Sequence, residues 1–175
     1  PEIITDQMRV LFAAFPIRAA KTGMLGGRAQ VEAVVSHWRS LGQSAPPLVV
    51  DPVMVATGGG RLLEDDAVEL ITICLLPLAR VITPNMDEAH VLSGDSIRTR
   101  DDMAACAREL SARHGTAVLI KGGHLESGGA DDVLCDAGEL IWFSAPRTPG
   151  VHTHGTGCAY SAAIATGLGK GLCLH

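Results

Sequence analysis

The sequence predicts an α/β fold, a mostly parallel sheet with helices on both faces and an antiparallel hairpin at one edge. Three observations carry this. Short aliphatic runs with β-branched residues recur at Pro46 to Met54, Arg80 to Thr83 and Ala117 to Lys121, as expected of strands covered on both faces. Between them lie segments with apolar residues at helical spacing, the grammar of βαβ units. Late in the chain, Asp132 to Asp136 and Glu139 to Phe143 flank Ala137 and Gly138, a two-residue hairpin signal.

Taken in order, Met8, Leu11, Phe12 and Phe15 after Thr5 read as a helix, and Ile17 to Ala20 as a short strand before Lys21, Thr22 and Gly23. Val31, Val34, Val35, Trp38 and Leu41 form a helical stripe that Gly42 ends. Asp65 and Asp66 open a helix carrying Val68, Leu70, Ile71, Cys74 and Leu75, and Pro84 closes the strand after it. Asn85 to Leu92 is a brief helix. Thr99 with Asp102 is a capping signal for the next, which Gly115 separates from Ala117 to Lys121. An alanine-rich helix runs from about Cys158 to Leu168. In such a sheet ligands sit at the carboxyl ends of the strands, so Asp51 to Val53, Thr83 to Asn85 and Lys121 to Gly123 should share one rim.

The 175 residues carry 14 Lys+Arg against 19 Asp+Glu, a net charge of −5, with 47% hydrophobic residues. That is the composition of one compact domain. It offers no general attraction to nucleic acid or an anionic membrane surface, so any phosphate must be held locally. No apolar run approaches the roughly 20 residues of a membrane span, and no signal peptide is visible. Five scattered cysteines without a CxxC pair argue against a disulfide framework or structural zinc, which makes a reducing, cytoplasmic setting the expectation.

HGTGC at 154–158 is a small-residue turn leading into a helix. Gly155 and Gly157 let backbone N–H groups face one point, where the helix N-terminus adds positive potential: a cradle for an anion. A flexible loop with Thr156 as N-cap is the plainer alternative. The Cys158 thiolate would be favoured by the same field, which suits a base or nucleophile; packing as a small hydrophobe is the other reading, and the one taken for Cys74, Cys106, Cys135 and Cys173. There is no GxxxxGK[ST] loop. Asp51, Asn85, Glu88 and Lys121 all follow apolar strands on the expected rim; two carboxylates can hold Mg²⁺ and a lysine can neutralise phosphate. Asn85 with Glu88 also reads as a helix cap with its N3 partner. Asp51, closing a run as apolar as Leu48, Val49 and Val50, needs a partner. His152 and His154 near Cys158 leave open a Cys–His pair, whereas zinc lacks a fourth ligand. His37, His90, His114 and His124 read as surface or capping residues.

KTGML (21–25), VDPVMVATGGGRLLEDDAV (50–68), LLPLARVITPNMDEAHVL (75–92), VLIKGGHL (118–125) and THGTGCAYSAAIATGLGKGL (153–172) together resemble the hydroxymethylpyrimidine/phosphomethylpyrimidine kinases of thiamin biosynthesis, in the ribokinase-like superfamily. The resemblance implies a three-layer α/β/α fold and an ATP- and Mg²⁺-dependent kinase. It would phosphorylate 4-amino-5-hydroxymethyl-2-methylpyrimidine and then its monophosphate. It further implies that Cys158 deprotonates or positions the substrate hydroxyl, and that the Gly155, Thr156 and Gly157 amides hold the transferring phosphoryl. Asp51 and Glu88 would handle Mg²⁺ and phosphates, Lys121 and Asn85 would serve the nucleotide, and Met24 and Val53 with Cys158 would line the pyrimidine pocket. A homodimer is implied too.

The pattern departs from the family at Gly60, Gly150 and Val151, where altered loop mobility is expected. Residues 1–175 are expected to be a single kinase domain without the family's amino-terminal strand and lid and without its carboxyl-terminal end, and so unstable and inactive alone. Three other readings stay open: a pyridoxal kinase of the same fold, a non-catalytic pyrimidine-binding member and a Cys–His thiol enzyme.

Overall fold

The computed structural model describes residues 1–54, 62–123, 129–146 and 155–175. Gly60, His124, Gly150, Val151, His152 and His154 lie outside them. Among the described residues six strands form one sheet in chain order: β1 (Ala20–Thr22), β2 (Leu48–Val50), β3 (Val81–Ile82), β4 (Ala117–Ile120), β5 (Gly129–Asp136) and β6 (Glu139–Pro146). The first four are parallel, and β5 and β6 add the expected antiparallel hairpin. Ala137 (φ 51°) and Gly138 (φ 87°) turn it, both in the left-handed region that a two-residue hairpin matched to strand twist requires.

The helices are α1 (Glu2–Ala14), α2 (Arg28–Leu41), α3 (Asp65–Leu70), α4 (Met86–Ser93), α5 (Arg100–His114) and α6 (Thr156–Gly169); a π turn at Ile71–Leu75 and a 3₁₀ turn at Leu76–Leu78 extend α3. Strand pleating divides the core. Leu48, Val50, Ile82, Val118 and Ile120 face α2 to α5, packing with Val31, Trp38, Leu75, Met103 and Leu110. Val49, Val81, Ala117, Leu119 and Leu134 face the other way and meet Ala165, Ile164 and Leu168 of α6. Helices thus cover both faces as the sequence predicts, and each fully buried Leu, Ile or Val contributes about 1.5–3 kcal/mol.

Caps read from sequence are present. Asn85 Oδ1 accepts from Glu88 N at 2.8 Å while Glu88 Oε2 accepts from Asn85 N at 2.8 Å, and Thr99 with Asp102 forms the same reciprocal box on α5. Other expectations are corrected. The first strand falls at Ala20–Thr22, because Ala20 N–H pairs with Pro47 O and Pro16 to Ala19 are the approach to the sheet. Helix α1 packs on α2 rather than on the sheet: Phe12 sits edge-on to Trp38, while Leu11 and Phe15 of the expected apolar stripe are about half exposed. His114 is buried, which lowers its proton affinity, and Cys173 is exposed rather than packed.

The turn leaving β4 is tightly held. Gly122 N–H donates to Asp132 Oδ1 at 3.0 Å, and a Cβ at Gly122 would fall 2.0 Å from Asp131 O and 2.7 Å from Met103 Cε. Gly122→Ala therefore forces backbone apart, and urea denaturation should show a loss of about 2–3 kcal/mol; an unchanged midpoint would contradict this packing.

Candidate active site

The α6-facing side of the sheet changes character at its carboxyl edge. Lys21, Val49, Val81 and Ala117 occupy one register row. Two residues further along the same face come Gly23 on β1's exit, Asp51 on β2's and Thr83 on β3's; Lys121 follows β4, bridged in parallel to Asn85. The apolar surface that Val49, Val81, Ala117 and Leu119 present to α6 thus gives way to a polar edge at Asp51, Thr83 and Lys121.

Asp51 is its centre, only 2% exposed. Oδ1 accepts from Lys121 Nζ at 2.9 Å and Thr83 Oγ1 at 3.2 Å, and Oδ2 from Ser161 Oγ at 3.1 Å. Lys21 Nζ stands 4.0 Å from Oδ2. The partner that the apolar run demands is therefore a set of groups from three other strands and one helix. Ser161, one turn into α6, fastens that helix over the edge. Lys121 in turn reaches the first turn of α6: a Cβ on Gly157 would lie 3.1 Å from Lys121 Nζ. A glycine here lets the ammonium lie directly beneath the helix N-terminus.

Helix α6 begins at Thr156, with Gly155 as N-cap at φ 82° and no side-chain cap; Thr156 is thus the first helical residue, not the cap. Its opening amides and dipole meet the Lys121 ammonium, so two sources of positive potential converge. Cys158 is exposed in that first turn. Met24 is 61% exposed beyond β1, and Val53 is half-buried beyond β2.

Glu88 is 3% exposed. Burial, partly offset by hydrogen bonds from the Asn85 and Met54 amides and by Lys121, pushes its carboxyl up to about 7. Asp51 adds to that rise, so the two carboxylates sense each other. Across the turn, the Tyr160 hydroxyl donates to Asp132; burial raises both groups, the phenol to about 12.

The rim residues expected from sequence (Asp51, Asn85, Glu88, Lys121, Gly155 to Cys158) do converge. Asn85 Oδ1 is engaged as the helix cap. Among the described residues no three His, Cys, Asp or Glu side chains cluster as a metal site, and no helix is long and apolar enough to cross a membrane. Sequence reading passed over Ser161, Asp132, Tyr160 and Lys21. Only Lys21 carried a signal: like Asp51, it closes an apolar run.

The α/β/α layering, with a polar edge under a glycine-led helix, is that of the ribokinase-like class, to which the solved structures that superimpose on this chain belong. Within it, the Phosphomethylpyrimidine kinase family model matches residues 1–175, and the chain belongs to that family. It is 42% identical over 172 residues to the hydroxymethylpyrimidine/phosphomethylpyrimidine kinase of Rhizobium meliloti, covering 98% of this chain and 64% of the relative. The chain thus spans just under two thirds of that relative's length. Among solved structures, an ADP complex of Bacillus subtilis pyridoxal kinase superimposes with a TM-score of 0.89 at 34% identity, over 99% of this chain and 65% of that one. Phosphomethylpyrimidine kinase from Clostridium difficile 630 gives 0.85 at 33%, over 99% and 69%.

Because Glu88 holds its proton more tightly folded (about 7) than at its ordinary value of 4.5, the folded state binds more protons between those values, and stability falls as pH rises through that window. Glu88→Gln keeps an acceptor for the Asn85 amide without the charge. Urea midpoints at about pH 5 and about pH 8 should differ less in the variant than in the parent protein; an equal difference would refute the assignment.

Proposed function

We propose that this protein is an ATP-dependent kinase that phosphorylates hydroxymethylpyrimidine and then its monophosphate, in the cytoplasm, as a step toward thiamin diphosphate. Residues 1–175 are read as one kinase domain acting on small molecules. The observation that carries this is the Lys121 ammonium, braced by buried Asp51 and lying under the first turn of α6. Fixed cationic and N–H dipoles aimed at one point are what a transferring phosphoryl needs, since its stabilisation is mostly positioning and electrostatics. The Rhizobium relative bears the name of this activity, and the Bacillus structure contains ADP.

In this reading the substrate hydroxymethyl oxygen attacks the γ-phosphorus in the first step, and an oxygen of the monophosphate's phosphate attacks it in the second. In each the new O–P bond forms as the bond to the β–γ bridging oxygen breaks and ADP departs; in the first, Cys158 accepts or positions the hydroxyl proton. The amides of Gly155, Thr156 and Gly157 face the equatorial oxygens, and Lys121 offsets their charge. Met24 and Val53 line the pyrimidine pocket, with Asn85 on the nucleotide side.

The donor set fits Mg²⁺ met through water rather than bound outright. Both Asp51 oxygens are engaged by Lys121, Thr83 and Ser161, but Asp51 and Glu88 are buried neighbours whose repulsion a cation relieves. The ion would neutralise nucleotide phosphates; Asp51 and Glu88 would orient its waters.

The 0.89 superposition on a pyridoxal kinase favours one second reading, vitamin B6 phosphorylation on the same machinery. ADP production from Mg-ATP with hydroxymethylpyrimidine, its monophosphate and pyridoxal decides between them. Both pyrimidines should be turned over, and Cys158→Ala should reduce the rate by roughly 10²- to 10⁴-fold. Turnover of pyridoxal alone would reassign the substrate, and no turnover would favour a binding protein. Lys121→Met should reduce kcat with little change in the affinity for pyrimidine, as expected of a group acting mainly on the transition state; an unchanged kcat would remove Lys121 from the chemistry.

A further inference from the structure

Two lysines, not one, approach Asp51. Lys121 meets Oδ1 at 2.9 Å from the β4 side, whereas Lys21 stands on the β1 side, 4.0 Å from Oδ2. The three shorter contacts, from Lys121, Thr83 and Ser161, already engage both oxygens. Lys21 is held near Asp51 by charge but is beyond hydrogen-bond distance of it, and it makes no side-chain hydrogen bond to another described residue. Its side chain is 21% exposed, enough to reach an incoming ligand. The ammonium curls over Gly23, where a Cβ would lie 3.0 Å from Nζ. A side chain at 23 would meet that ammonium; glycine leaves its place open.

The position of α6 relates this ammonium to the phosphoryl cradle. Near its carboxyl end, Gly169 packs against Ala19 beside the start of β1 (a Cβ there would lie 3.4 Å from Ala19 Cβ), and Ser161 in its second turn bonds Asp51. The helix therefore runs over β1 and β2 with its opening turn toward their carboxyl ends. Lys121 and Lys21 flank this point from opposite sides. In-line phosphoryl transfer puts donor and acceptor on opposite sides of the moving group. With Lys121 serving the nucleotide, the β1 side is left to the acceptor.

We propose that Lys21 is a specificity-determining residue that binds the phosphate an already phosphorylated acceptor brings to the site. The inference rests on the two-step kinase reading. A neutral alcohol brings no charge to that side. A phosphate monoester brings about −1.5 to −2 at pH 7, next to a transferring group that is itself anionic. A cation held near Asp51 but not hydrogen-bonded to it can turn to that phosphate without breaking a formed bond. Lys21 is thus idle in the first phosphorylation and engaged in the second.

The test compares kcat/KM for hydroxymethylpyrimidine and its monophosphate in the protein at its full natural length, with Lys21→Met and Lys21→Arg. Lys21→Met should lower the value for the monophosphate by roughly 10- to 100-fold, the size of one hydrogen bond to a charged group, with the alcohol changing less than about threefold. KM for ATP should hold, and Lys21→Arg should recover part of the loss. An equal fall on both acceptors, or none on the monophosphate, overturns the assignment while leaving the kinase reading intact. A parent protein that turns over neither pyrimidine overturns the two-step pyrimidine kinase reading, and this inference with it. Lys21→Gln serves the same comparison if the methionine variant does not fold.

Discussion

The buried carboxylate of Asp51 is the constraint around which the rest is arranged. A charge enclosed by Leu48, Val49 and Val50 at the end of a covered strand is tolerable only when paired and hydrogen-bonded, and each partner comes from a different element: Thr83 after β3, Lys121 after β4, Ser161 on α6. Satisfying one group thus sets the height of α6 above the sheet and the side on which its N-terminus opens. The apolar contacts of Ala165, Ile164 and Leu168 supply the adhesion; the polar edge supplies the address.

Around that centre the small residues act by what they leave empty. Gly157 gives the Lys121 ammonium its berth under the helix, and Gly122 lets the chain turn against β5 without displacing Met103. The second shared device is the cap on α4, whose Glu88 also accepts from the Met54 amide. One carboxyl thereby joins the start of a helix to the loop after β2, which is how an isolated capping box becomes part of a site.

Much of this was legible in the sequence because it depends on near neighbours. The caps at Asn85 and Thr99, the stop at Gly42, the Ala137–Gly138 turn and the covered strands are all decided within a few residues, and the rim followed from the parallel sheet. What sequence could not reach depends on register between strands far apart in the chain. That Ser161 and Thr83 share Asp51, and that Lys21 and Lys121 approach it from opposite sides, requires knowing how the strands and α6 are registered. The same holds for α1, whose amphipathic spacing predicts a helix without saying that another helix, not the sheet, receives it. His114 looked like a surface residue at a helix end, and only the packing around α5 buries it.

The contacts on Asp51 join residues 32, 70 and 110 positions apart in sequence. Contacts of such separation carry the full cost of loop closure before they return anything, so they form after local helices and turns. Helix α4 and the hairpin are built from near neighbours, yet neither holds Asp51, Lys21 or Lys121 in place. The site is therefore a property of the closed sheet: no single helix or hairpin brings the Asp51 carboxylate and its partners together.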